Sequence, residues 1–134
     1  MKVYLTYKFK EEDLGPLRAM LEKFSRLIED ATGWKTFIFF RDVQKWQKPA
    51  MSVNEVIERA LKEVENCDAI LAEASEKARG VYFEVGYAKA KKKKVIVIHK
   101  KGTEANFLEA LADVKIEYDD WDDLREKLRE VKLS

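Results

Sequence analysis

Cysteine and histidine are almost missing: the 134 residues hold one of each, Cys67 and His99. A single cysteine excludes an internal disulfide and a thiolate metal cluster, and a single histidine excludes a multi-histidine metal site. Five glycines and two prolines are too few for a low-complexity or disordered chain. Neither sign of charge dominates, since 26 Lys and Arg oppose 25 Asp and Glu. No global field therefore draws the chain to nucleic acid or to an anionic membrane. No apolar run approaches the ~20 residues of a membrane span, and residues 1–13 alternate apolar and charged side chains, unlike a signal or transit peptide. The nucleophile-elbow, P-loop and G-x-G-x-x-G patterns are absent too. What is present is 46% hydrophobic and 38% charged residues, the latter above the usual ~25%. The expectation is a cytoplasmic globular chain, one domain over residues 1–134, with no metal and no cofactor called for.

Apolar residues set the expected elements. Val3-Tyr4-Leu5-Thr6-Tyr7 is a β-prone opening run. Leu14, Leu17, Met20, Leu21, Phe24, Leu27 and Ile28 then fall on one helical face, with Asp13 as cap, Pro16 in the first turn and Thr32-Gly33 as the stop. Residues 36–40 read as a strand buried on both faces, and residues 41–51 as a loop carrying Trp46 and Pro49. Ser52 and Glu55 form a capping box before a helix whose expected inner face is Val53, Val56, Ile57, Ala60, Leu61 and Val64. Residues 68–74, 95–98 and 114–118 complete the strands. Residues 80–91 are helical in period, Thr103 is a cap for a short helix to Leu111, and Asp119 or Asp120 caps a final helix to Val131. Strands alternating with amphipathic helices predict an α/β, flavodoxin-like doubly wound sheet of five mostly parallel strands, order 2-1-3-4-5, with helices on both faces. Ligands of such sheets bind beyond the carboxyl ends of the strands, near the reversal of strand order.

In Gly80-Val81-Tyr82-Phe83-Glu84-Val85-Gly86-Tyr87-Ala88, the helical neighbours of Glu84 are Gly80, Val81, Tyr87 and Ala88, all small or apolar. The carboxylate thus lies on a face that is packed or cleft-lining. Either it is a partly solvated acid favoured by the helix dipole, or it serves as a nucleophile or partner to a cationic transition state. Glu73 and Asp42, near strand ends, either supply a second carboxylate or cap the next helix. Lys8, Lys10 and Arg41 either contact a phosphate or are solvated. Tyr4, Tyr7 and Trp46 are candidate pocket walls, while Trp34 and Trp121 read as core or rim packing. Lys89 to Lys94 ends a helix, where cations are favoured, so it reads as a solvated face. His99, at a strand end, is either structural or reaches the cleft.

Lys2-Val3-Tyr4-Leu5, the run Cys67-Asp68-Ala69-Ile70-Leu71-Ala72-Glu73-Ala74-Ser75 and, above all, residues 80–88 resemble the nucleoside 2-deoxyribosyltransferase-like family and its G-V-G-x-E-x-G-x-A signature. The resemblance implies cleavage or transfer at the N-glycosidic bond of a (deoxy)nucleoside or nucleotide. It makes Glu84 the catalytic nucleophile and puts Tyr4 near the sugar, with Gly80 of the signature among the substrate-binding residues. The implied partner is a small-molecule nucleoside or nucleotide, with no nucleic acid, no membrane and a homodimer left open. The family's glycine-containing first loop reads Thr6-Tyr7-Lys8-Phe9-Lys10 here, and its second signature glycine is Tyr82. A serine used for phosphate falls on Ala78, and an assisting aspartate falls near Ala60. Tyr4 to Tyr7, residues 37–42 and Ile57-Glu58-Arg59-Ala60 are also similar to the TIR domain, whose NAD-cleaving members place a glutamate at the same point. The alternative is such a TIR-like activity, or a non-catalytic nucleotide-sensing or interaction domain.

Overall fold

The structure, a computed structural model, describes residues 1–10, 14–47 and 50–133. Its elements in chain order are β1 (Lys2–Thr6), α1 (Leu14–Thr32), β2 (Lys35–Phe37), α2 (Phe39–Asp42), α3 (Val53–Glu65), β3 (Ala69–Glu73), α4 (Arg79–Ala90), β4 (Lys94–Lys100), α5 (Asn106–Glu109), β5 (Val114–Tyr118) and α6 (Trp121–Arg129). The five strands form one sheet in the order β2-β1-β3-β4-β5, every neighbouring pair parallel. This is the predicted doubly wound α/β topology, with β1 and β3 flanking the reversal of strand order.

Period-two alternation divides the core. Val3, Leu5, Ala69, Leu71, Ile96, Ile98, Ile116 and Tyr118 face α1 and α6. Tyr4, Ile70, Ala72, Val95 and Val97 face α3, α4 and α5. Burial on both faces explains why β3 and β4 read as unbroken apolar runs. α1 ends where the Gly33 N–H reaches the Glu29 carbonyl (2.8 Å) at a φ of +78°, a conformation that favours glycine. The expected Asp13 cap and Pro49 lie outside the described residues. Ser52 and Glu55 form the expected capping box, and Asp120 accepts the Asp123 N–H (2.8 Å) to start α6.

Three local expectations are corrected. The strand over residues 36–40 stops at Phe37, because the Asp42 carboxylate accepts the Ile38 N–H (2.9 Å) and Arg41 donates to the Thr36 carbonyl (2.8 Å). These side-chain bonds replace ladder bonds and start α2 inside the expected strand. Thr103 does not cap a helix to Leu111. Its hydroxyl bonds the Lys100 carbonyl, and Glu104 accepts the Asn106 N–H (2.8 Å) at the start of the shorter α5. In α3, Val53 is 74% exposed and Ile57 40%, whereas Ala60, Glu63 and Val64 are buried. Glu63 is paired with Arg59 (3.0 Å), so a glutamate takes a place that periodicity gives to apolar side chains.

These positions make a sharp contrast in stability. Leu71→Ala, fully buried in the central strand β3, is expected to cost about 2–5 kcal/mol in urea unfolding. Val53→Ala, on the exposed end of α3, is expected to stay within about 0.5 kcal/mol of the parent.

Candidate active site

Glu84 sits in the second turn of α4, against the carboxyl end of β1. Tyr4 and Thr6 are two residues apart on that strand and so share its α4-facing side. The Thr6 hydroxyl donates to Glu84 Oε1 at 2.7 Å, and the Tyr4 hydroxyl donates to Oε2. The Tyr4 ring stacks on Phe37 of β2 at 5.4 Å, which fixes its direction across the sheet. Among the described residues, no Lys, Arg or His lies within ion-pair distance of Glu84.

Burial raises the Glu84 carboxyl above the usual carboxylate range, and the Thr6 and Tyr4 bonds only partly offset it. Burial, and then the Glu84 charge, push the Tyr4 and Tyr7 phenols upward, so both are protonated donors at neutral pH. A perturbed carboxylate in a cleft is a recognised mark of a functional site. The cleft has a volume of about 490 Å³. Tyr4, Tyr7, Phe9, Phe39 and Phe40 give it aromatic walls, Val56 and Ala60 of α3 close one side, and Lys8 and Gln44 supply polar ends. Ala78 and Gly80 complete it at the start of α4, where Ala78 brings no capping side chain. The first amide N–H groups of that helix therefore have no side-chain acceptor from the cap.

The structure brings together Glu84, Tyr4, Tyr7, Lys8 and Gly80 of the residues singled out from sequence. Asp42, Trp46 and Glu73 lie elsewhere. Burial opposes ionisation of Asp42, but its bonds from Arg41 (2.9 Å) and the Ile38 amide outweigh that and hold it below the usual range. Trp46 packs edge-on against Phe40 (5.1 Å), with the Arg18 guanidinium over its ring. Glu73 accepts the Ser75 N–H (2.7 Å), the Ser75 hydroxyl (3.0 Å) and the Tyr118 hydroxyl, and it lines a second cleft on the α1 side of the sheet. Lys10 lines that second cleft, and Arg41 is committed to Ser25, Thr36 and Asp42. Trp34 and Trp121 pack against the α1-side core, and His99 is buried with its Nδ1 3.1 Å from the Thr103 hydroxyl. Burial pushes the Cys67 thiol up to about 11, which removes it as a thiolate nucleophile at neutral pH. Thr6 and Gln44 fall within the strand-tip segments 6–10 and 41–46 to which the sheet order directs attention, without a role of their own, and Phe39 falls outside them. The alternation that pairs Thr6 with Tyr4 was available in the sequence, whereas Phe39 and Gln44 depend on the turn made by α2.

The nucleoside 2-deoxyribosyltransferase family model matches residues 8–122. No curated protein matches the chain. Among solved structures, the fold resembles that of the CMP N-glycosidase BcmB of Clostridium botulinum, with 20% identity and a TM-score of 0.66 over 96% of this chain and 98% of that one. It also resembles the 2-deoxyribosyltransferase of Bacillus psychrosaccharolyticus, with 19% identity and a TM-score of 0.69 over 99% and 93% of the two chains. A conserved protein of Enterococcus faecalis is similar at 16% identity, with a TM-score of 0.68 over 96% and 97%. No described helix is long and apolar enough to cross a membrane. With residues 8–122, most of its length, matched by the family model, the chain belongs to the nucleoside 2-deoxyribosyltransferase family.

Proposed function

We propose that this protein breaks the N-glycosidic bond of a (deoxy)nucleoside or nucleotide, with Glu84 as nucleophile. The observation that carries this is the Glu84 carboxylate, held by the Tyr4 and Thr6 hydroxyls and facing an aromatic-walled cleft. A Glu84 oxygen bonds to the anomeric carbon as the bond to the base breaks, its electron pair leaving with the base nitrogen. The developing positive charge on the sugar is offset by the carboxylate, whose ionised form is poorly solvated and so gains most from that partner. Water then cleaves the glycosyl ester to free sugar, or a second base takes the sugar in transfer. Tyr4 and Thr6 hold the two oxygens and fix the direction of attack. Tyr7 and Phe39 wall the planar parts of the substrate, and Lys8 is the cation for an anionic one.

Incubation with deoxynucleosides, their monophosphates and NAD, followed by chromatography, is expected to release free base from at least one class. Adding a second base distinguishes transfer from hydrolysis. Glu84→Ala is expected to lower kcat on the order of a thousandfold or more, and an equally active variant would overturn the assignment.

The raised Glu84 carboxyl fixes two pH signs. The nucleophile is the ionised form, so kcat/KM falls as pH drops through a value above the ordinary 4.5. Tyr4→Phe removes a bond that favours ionisation and should move that acid limb to higher pH. For stability, a carboxyl raised on folding contributes fully below its unfolded value and loses that contribution as pH rises through the folded one. Glu84→Gln should therefore raise Tm by a few degrees at neutral pH, with the gain shrinking on acidification. Thermal unfolding across pH checks this, and an unchanged or lowered Tm at neutral pH would contradict it.

A further inference from the structure

The second cleft, about 500 Å³ in volume, lies at the carboxyl ends of β1, β3, β4 and β5 on the α1 side of the sheet. Its wall includes Met20, Phe24 and Trp121, and its polar groups include Glu73, Lys10 and Lys100. Tyr7 and Lys8 line both this cleft and the one holding Glu84. They follow directly from β1, beside the point where strand order reverses, so the two clefts adjoin across the end of that strand.

From this continuity we infer that the substrate is a nucleotide bearing a second sugar or nucleoside beyond its phosphates, and that this second body occupies the α1-side cleft. The inference rests on the assignment of the Glu84 cleft to the scissile nucleoside. Three observations support the occupant. Lys8 and Lys10 stand near the junction, paired with Glu76 at 3.5 and 3.0 Å with all three side chains about half exposed. Such solvated pairs are weak and exchange readily for the stronger charge-assisted bonds of a bridging phosphate. Lys100 adds a cation on the far side. Glu73 is held in place by Ser75 and Tyr118, and a carboxylate with roughly four acceptor sites keeps one for a sugar hydroxyl. The Trp121 ring and the Met20 side chain form an apolar wall suited to a planar base or a sugar face. A lining of carboxylate, aromatic ring and lysine is complementary to a ribose, a base and a phosphate, and poorly matched to a purely apolar ligand.

The test measures binding to the Glu84→Gln variant, so that turnover plays no part. The probes are two pairs that differ by the second body: NMN against NAD, and AMP against ADP-ribose. The larger member of at least one pair is expected to bind roughly tenfold tighter, the scale of one well-filled subsite. Met20→Trp, which fills the α1-side cleft from a partly exposed position, should erase that gain and leave the smaller member's Kd unchanged. Lys100→Ala, at an exposed residue, should reduce the gain without unfolding the chain. Equal binding within both pairs, no binding of either, or equal weakening of both members by Met20→Trp would overturn the inference. Base release by the parent protein is read separately: its absence defeats the glycosidic assignment, whereas release with no preference for the larger substrates defeats only this one.

Discussion

A carboxylate taken out of bulk water must be hydrogen-bonded or protonated, and Glu84 shows how this fold meets that constraint. Its partners are two hydroxyls from one strand rather than a cation from a loop. Neutral donors orient the oxygens without cancelling the charge they carry when ionised. A lysine at the same place would pull the raised carboxyl down and neutralise its charge. The cost of holding Glu84 this way is a raised carboxyl in the folded state, which couples the site to stability and to pH.

The sheet supplies this arrangement as a consequence of parity. Within β1, Val3 and Leu5 enter the core beneath α1 and α6, while Tyr4 enters the core on the other face, with the hydroxyl of Thr6 following it toward Glu84. A one-residue slip of β1 would exchange these faces, burying a phenol among the leucines and turning Leu5 toward the carboxylate. Registers with both β2 and β3 prevent that slip, since Tyr4 is opposite Phe37 on one side and Ile70 on the other. The packing that stabilises the centre of the sheet therefore also aligns the candidate nucleophile.

The sequence made the sheet order readable because the central strands β3 and β4 are apolar on both faces and helices such as α1 and α6 carry a one-sided stripe. Glu84 was readable for a related reason: a charge among Gly80, Val81, Tyr87 and Ala88 breaks an apolar face. What escaped was geometry set by single side chains. The Asp42 carboxylate ends β2 by taking the Ile38 amide, and no periodicity encodes that bond. The turn that follows places Lys45 and Trp46 at positive φ, held by the Trp46 N–H on the Phe40 carbonyl (2.8 Å). That turn packs Trp46 against Phe40 and Arg18, while Gln44, two residues earlier, lines the cleft. Asp42 and Glu73 stand near strand ends outside the Glu84 cleft, and each accepts from local donors.

Ala60 and Ala78 carry the argument one step further. The family resemblance expects an aspartate near the first and a serine at the second, and the structure places both alanines on the wall of the Glu84 cleft. Both departures from the family pattern therefore line the Glu84 cleft, where an alanine wall is smaller and less polar than an aspartate or serine would be. An alanine cannot donate to a phosphate or assist a departing base, so on the proposed reading recognition would fall to the hydroxyls of β1, Lys8, Gln44 and the first amides of α4, which Ala78 does not cap. Two of the cleft's lining residues, Tyr7 and Lys8, also face the α1-side cleft. When polar contacts inside a reaction cleft are few, binding energy from a remote part of the substrate contributes more to holding the reacting bond in place. On the proposed reading, the few polar groups around Glu84 and the second cleft beyond Lys8 therefore complement each other.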